Sequence, residues 1–233
     1  MRSIVGRPST CGRLLRFALL ALVATACGGG NGGAGGIVTA TSTNPRVTAI
    51  GDSITAGMGE VPYPRRLETA LRRRNPEARV NNRGQGGQQT SGGIGTLTHA
   101  LATDAPGFVT ILEGTNDITA GASAEQIAEN LRHMVQLAVG SGVVPVLGTL
   151  PPQFGARARF MDRVVEVNAR IREVAAQERV ALADVFQALP DASFFSDGLH
   201  PNNQGSGAIA EAFDAALARA GYPAAMLARR RRP

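Results

Sequence analysis

From residue 46 onward, short apolar runs alternate with longer stretches that carry apolar residues at helical spacing. Val47-Thr48-Ala49-Ile50 runs into Gly51 and then into a small, polar, glycine-rich segment (Ala56, Gly57, Gly59), the pattern of a strand ending at the carboxyl edge of a sheet. Pro64 to Arg74 places Leu67, Ala70 and Leu71 on one face and arginines on the other, which predicts a helix ended by Asn75-Pro76. Ala78 to Asn81 reads as a short strand, Arg83 to Gly95 as a glycine-rich connection, and Leu97 to Ala102 as helix. Phe108 to Leu112 is nearly all apolar, as expected for a strand covered on both faces. Ser123 suits an N-cap for Ala124 to Val139, where Ile127, Leu131, Val135 and Ala138 form one stripe. Val143 to Leu150 is the next strand, with Pro145 expected at its start. Ala158 to Glu178 is helical, Val180 to Val185 is a fifth strand, and Asn203 to Ala220 a closing helix. Five alternations predict an α/β protein: one three-layer α/β/α domain around a five-stranded parallel sheet, with right-handed crossovers.

The amino terminus follows a different pattern. Arg2, Arg7, Arg13 and Arg16 precede an apolar core, Phe17 to Val23, that is too short to span a bilayer, and Ala24-Thr25-Ala26 has the small-x-small form of a cleavage site. Residues 1–26 are therefore expected to be a signal peptide. Cys27 and the glycine-rich stretch after it resemble a bacterial lipoprotein signal, which implies lipidation of Cys27 and a tether over 27–44. Ala24 stands where that pattern favours leucine, so cleavage without lipidation is the alternative. The folded domain is expected over 45–222 and a basic tail over 223–233. The only other cysteine, Cys11, lies in the leader, so the mature domain must rest on a packed core without an internal disulfide.

The formal charge of +6 changes meaning once it is divided along the chain. Setting aside the four leader arginines and Arg229–Arg232 leaves 16 basic residues against 18 acidic ones. The body is close to neutral and has no basic patch interleaved with aromatics, which argues against a nucleic-acid partner.

Ser53, at the end of the first strand, lies where ligands sit in open α/β sheets, and a serine nucleophile needs a base. The chain has three histidines. His133 reads as a surface residue of its helix, and His99, in a small-residue segment, as structural. His200 differs, because Asp197-Gly198-Leu199-His200 puts a carboxylate three residues before the imidazole in a loop ahead of a helix. From there Asp197 can hold the ring nitrogen remote from the serine. No second histidine or cysteine clusters nearby to complete a metal site. Two strand-end segments can supply oxyanion donors: Gly114-Thr115-Asn116-Asp117, through the Asn116 amide, and Asn82 to Thr90, whose glycines let a backbone N–H approach a substrate. Glu113 fits equally a buried partner for a backbone N–H and an exposed turn residue.

Together, Gly51-Asp52-Ser53, the glycine segment, Gly114 to Asp117 and Asp197 to His200 resemble the SGNH hydrolases, the GDSL esterase/lipase superfamily, in the family's order and over Val47 to about Phe213. The resemblance implies the flavodoxin-like SGNH fold, with Ser53 as nucleophile, His200 as base and Asp197 as its orienter. It also implies an oxyanion hole of the Ser53 and Gly87 N–H groups with the Asn116 side chain; Gly86 is adjacent to Gly87 and is the alternative. Thr55 stands where the ordinary α/β-hydrolase elbow has its last glycine.

The implied reaction is carboxylic-ester hydrolysis through an acyl-serine, with a small-molecule ester as partner and no cofactor. Short-chain or aryl esters and lysophospholipid are the expected substrates, with carbohydrate O-acetyl ester as alternative. The absence of tryptophan weighs slightly against a stacked sugar platform. Phe194-Phe195 can wall an acyl pocket or pack in the core. No long connection suggests a lid, so an open site for small acyl groups is expected. A non-catalytic surface-binding module predicts a degraded triad, and a nucleotide binder lacks its phosphate-loop signatures.

Overall fold

The computed structural model describes residues 42–58 and 61–224. The leader, Cys27 and Arg229–Arg232 lie outside the described residues. Five strands, β1 (Arg46–Gly51), β2 (Arg79–Gly84), β3 (Phe108–Leu112), β4 (Val144–Gly148) and β5 (Ala181–Ala183), pair in parallel in the order β2-β1-β3-β4-β5. The long helices are α2 (Tyr63–Arg72), α3 (Thr90–Thr103), α5 (Ala124–Gly140), α6 (Met161–Gln177) and α8 (Asn203–Arg219). Three short ones, α1 (Ser53–Ala56), α4 (Thr115–Thr119) and α7 (Val185–Ala188), begin close behind strand ends. The expected three-layer, flavodoxin-like α/β/α domain is the one observed, and its strand order reverses between β1 and β3, where such sheets open a crevice.

Two hydrophobic cores follow from the alternation along each strand. Val47 and Ala49 of β1, Phe108 and Leu112 of β3, and Val144 and Val146 of β4 pack with Tyr63, Leu67 and Leu71 of α2 and Ile209, Phe213 and Leu217 of α8. Ile50, Val109, Ile111 and Leu147 point to the other face and pack with Leu97, Ile127, Leu131 and Ile171 of α3, α5 and α6. Tyr63 stacks on Phe213 with ring centroids 5.2 Å apart. The Tyr222 hydroxyl donates to the Pro45 carbonyl at 2.7 Å, tying the last turn of the body to the start of the first strand.

Several element boundaries differ from the sequence expectation. β2 continues to Gly84 through Asn82 and Arg83, because an edge strand with one neighbour can carry polar side chains. α3 starts at Thr90, well inside the segment expected to be a glycine-rich connection. Its glycines weaken the helical signal but admit close neighbours: a Cβ on Gly93 would come within 2.6 Å of the Glu113 carboxyl carbon. The helix expected from Ala158 begins as a 3₁₀ turn over Gly155–Phe160 before α6. Pro145 is the second residue of β4, opposite Val109. Val144 donates to Gly107 on the β3 side, so the position of Pro145 addresses the β5 side, where pairing starts only at Val146.

The end of β2 lies directly against α1. A Cβ on Gly84 would fall 2.6 Å from the Thr55 carbonyl carbon and 2.8 Å from Ala56 Cα, both backbone atoms of the helix that Ser53 begins. Gly84→Ala is expected to destabilise the domain by about 1–3 kcal/mol, and to lower turnover by displacing α1. Thermal melting and initial-rate measurements on this variant test it; a wild-type melting temperature would count against the contact.

Candidate active site

β1 ends at Gly51, and the buried Asp52 turns the chain by accepting the Ile54 N–H on its Oδ1 at 2.9 Å. Gly51 has no room for a side chain, since a Cβ there would lie 2.7 Å from the Leu112 carbonyl oxygen. Ser53 therefore opens α1 at the carboxyl end of the sheet. Its Oγ lies 3.0 Å from Nε2 of His200, and His200 Nδ1 lies 2.7 Å from Asp197 Oδ2. The second Asp197 oxygen accepts the N–H groups of Leu199 at 2.9 Å and His200 at 2.7 Å, closing a tight turn under the imidazole. Partial burial pushes the Asp197 carboxyl up, but the His200 N–H, the imidazole and the Leu199 N–H together outweigh it and hold the group at about 2. An ionised Asp197 places the ring proton on Nδ1 and leaves Nε2 as an acceptor for the serine hydroxyl.

The loop carrying His200 is fixed at both ends. Phe195 bridges Pro201, Ser196 donates to the His200 carbonyl at 2.9 Å, and Asn202 caps α8 through Gln204 and Gly205. Gly198 adopts φ +81°, and Phe154 N–H donates to its carbonyl at 2.8 Å. Phe195 is buried in the core and Phe194 packs against it, so core packing is the role the pair has; neither lines the cavity beside Ser53.

On the other side of Ser53, Gln85-Gly86-Gly87-Gln88 makes a tight turn closed by Gln88 N–H to the Gln85 carbonyl at 3.1 Å. Gly87 at φ +77° occupies the left-handed position that favours glycine. Among the described residues, the N–H groups of Ser53, Gly86 and Gly87 have no hydrogen-bond acceptor. Asn116, in the first turn of α4, donates through Nδ2 to the Gln88 carbonyl at 2.9 Å and reaches Asp52 Oδ2 at 3.3 Å. Three strand ends thus bring Ser53, Asn116 and the Gly87 turn together, and the loop before α8 adds Asp197 and His200.

The family profile described as GDSL-like lipase/acylhydrolase matches residues 49–208, more than half of the chain and all of these segments. The chain belongs to the GDSL-like lipase/acylhydrolase family. It is an ester hydrolase. Its fold is similar to that of TesA, at 26% identity over 75% of this chain and 99% of that one, with a TM-score of 0.66. A putative acylhydrolase from Bacteroides fragilis is 21% identical over 78% of this chain and 91% of that one, with a TM-score of 0.64. Axe2, an acetylxylan esterase from Geobacillus stearothermophilus solved as a catalytic mutant, is 19% identical over 78% and 96%, with a TM-score of 0.65. No curated protein matches the chain in sequence.

The other two histidines of this acylhydrolase lie away from the serine. His133 is exposed on α5, as expected, and His99 is exposed on α3, which corrects its reading as a structural residue. The segment around His99 is rich in small residues because Gly93, Leu97 and Ala100 form the buried stripe of α3, and the histidine falls on the opposite side. Glu113 is buried, which decides between its two sequence readings, although its partner is the side-chain amide of Gln88 and no backbone N–H. The sequence reading gave no role to Gln88 or to Asp117. Asp117 accepts the Thr90 N–H at 2.9 Å and its hydroxyl at 2.6 Å, anchoring the start of α3 to the end of β3. The aspartate of the Gly-x-Asn-Asp block pointed to Asp117, whereas a glutamine in a glycine-rich loop carries no comparable signal.

Two acidic groups behind the site are shifted by burial, Asp52 up to about 6 and Glu113 up to about 8. A carboxyl with a raised pKa keeps, in the folded state, a proton that the unfolded chain has lost. Its contribution to stability is complete below about pH 4.5 for Glu113 and is lost as pH rises through about 8; Asp52 acts in the same sense between 3.8 and about 6. Glu113→Gln is therefore expected to lose less stability than wild type between about pH 5 and about pH 8, as read from urea unfolding midpoints. Parallel pH dependence of the two proteins would contradict it.

Proposed function

We propose that the protein hydrolyses short-chain or aryl carboxylic esters through an acyl-serine intermediate. The observation that carries this reading is the hydrogen-bonded chain from Ser53 Oγ through His200 to Asp197, at 3.0 and 2.7 Å. Ser53 Oγ attacks the ester carbonyl while His200 Nε2 takes its proton, and Asp197 holds the imidazole in the required tautomer and stabilises the imidazolium. The tetrahedral oxyanion is met by the N–H groups of Ser53 and Gly87 and by Asn116 Nδ2. His200 then protonates the leaving alkoxide, the alcohol departs, and a water activated by the same imidazole releases the acid and regenerates the serine.

A small acyl group is favoured by the cavity beside Ser53. Met58, Val61, Pro62, Tyr63 and Ile209 wall a space of about 10 Å³ next to Ser53 and His200, about the room one water occupies. The same feature supports a second reading, removal of O-acetyl groups from carbohydrate, the chemistry named for the structurally similar Axe2. In either case the leader exports the domain and a lipidated Cys27 anchors it at the cell envelope through the glycine-rich tether. Cys27→Ser is expected to move the enzyme from the membrane to the soluble fraction of cells; a wild type already in the soluble fraction would argue for cleavage without lipidation, and a variant retained in the membrane would argue against Cys27 as the anchor.

Turnover of acetyl, butyryl and palmitoyl p-nitrophenyl esters, with acetylated xylan in parallel, tests the substrate. Activity is expected to fall from acetyl to palmitoyl, and a fastest palmitoyl ester would overturn the small-acyl reading. Ser53→Ala is expected to lower kcat by at least about a thousandfold, and Asn116→Ala by about a hundred- to a thousandfold. Wild-type turnover by Ser53→Ala would remove the mechanism.

A further inference from the structure

Among the buried polar groups that the mechanism leaves without a role, Glu113 and its partner Gln88 stand out. Gln88 uses every polar atom it has. Its N–H closes the turn on the Gln85 carbonyl, its carbonyl receives Asn116 Nδ2 at 2.9 Å, and its side-chain oxygen accepts the Thr96 hydroxyl at 2.7 Å. Its side-chain Nε2 donates both to the Gly51 carbonyl at 3.2 Å and to Glu113 Oε1. One residue is thus bonded to the end of β1, to the end of β3, to α3 and to the turn that follows β2.

We propose that Gln88, backed by Glu113, is a positioning residue that holds the Gly87 N–H and the Asn116 amide in register with Ser53. The inference rests on the oxyanion hole proposed above. β2 is an edge strand, so the turn beyond it has a sheet neighbour on one side only, and Gly86 and Gly87 are both exposed. Glycines in such a turn have wide conformational freedom, while an oxyanion donor acts only when held close to its working position. The Gln88 side chain supplies the missing restraint. It hooks the residue after Gly87 onto Gly51, two residues before Ser53, while its carbonyl fixes Asn116.

Glu113 gives this hook its direction. Its Oε1 receives one Gln88 hydrogen, and its Oε2 has no hydrogen-bond partner and faces the space left by Gly93. Only the oxygen toward Gln88 is engaged, so a glutamine at 113 can retain the acceptor and a leucine cannot. Removal of an outer-shell partner of this kind acts through the donors it aims, and should therefore appear in kcat with little change in KM.

The experiment measures kcat and KM on p-nitrophenyl acetate, and melting temperature, for Gln88→Ala, Glu113→Leu, Glu113→Gln and Ser53→Ala in the full chain. Gln88→Ala is expected to lower kcat by about 10- to 100-fold with KM within about threefold of wild type. Glu113→Leu should match it, Glu113→Gln should return kcat to within about threefold of wild type, and the Gln88→Ala/Glu113→Leu double variant should be no slower than either single one. Wild-type kcat in Gln88→Ala, a loss confined to KM, or equal damage from Glu113→Gln and Glu113→Leu would overturn the proposal. Should Glu113→Leu fail to fold, the part-exposed Thr96→Val, which removes the donor to the Gln88 oxygen, takes its place with a smaller fall in kcat expected and an unchanged kcat counting against the proposal. Full activity in Ser53→Ala would instead fault the serine mechanism, so the two failures are distinct.

Discussion

The hydrogen bond between Ser53 and His200 joins residues 147 positions apart, and everything on that side of the sheet serves to close the gap. Ser53 is carried by the end of β1, and His200 by a loop ahead of α8, so their separation is set by how α8 seats on the sheet. Tyr63 stacking on Phe213 locks α2 to α8. Arg66 of α2 donates to Asn203 at 2.6 Å, and the Ser206 hydroxyl donates to the Val61 carbonyl at 2.5 Å, adding polar stitches at the end of the pair nearest the site. Burial of these aromatic and aliphatic faces provides the main stabilising force, and the stitches convert it into a particular register.

The opposite side of the serine depends on polar contacts to a greater degree. There β2 is an edge strand, and the turn beyond it has no hydrophobic anchor of its own. Asp52, Glu113 and Asp117 lie buried at neighbouring strand ends, each with a different set of partners. Asp117 is matched by the N–H and hydroxyl of Thr90, Asp52 by Ile54 N–H and by Asn116, and Glu113 by Gln88 alone. Burying three carboxyl groups together is unfavourable unless some keep their protons, which is the physical reason Asp52 and Glu113 are pushed upward. A polar cluster that is stabilised imperfectly is more often found where a site must be shaped than where a fold must be held.

The two halves place different demands on the chain. The α2–α8 side tolerates change that preserves volume, because packing is non-directional. The Gly84, Gly87 and Gly93 positions tolerate little, since they are where backbone or carboxylate occupies the space of a side chain or where the chain turns left-handed. In this chain the strands are thus ordinary, and the strand ends around Ser53 are closely constrained.

The five strands and five long helices, the parallel three-layer architecture and the grouping of Ser53, Asn116, Asp197 and His200 at one sheet edge were legible in the sequence, because apolar periodicity marks each of these elements and strand ends lie where that periodicity breaks; the short helices α1, α4 and α7 span too few residues to show a period. β2 beyond Asn81 and the start of α3 were not legible, since an edge strand needs no apolar alternation and glycines conceal a helix that tertiary contacts hold. Gln88 and the burial of Glu113 belong to the same class: a glutamine beside two glycines carries no signal of its own, and a glutamate before a turn fits a buried and an exposed place equally until β1, β3 and α3 are brought around them. Local pattern records what each segment needs for itself, while the aim of the polar groups behind the serine was decided only by which segments became neighbours.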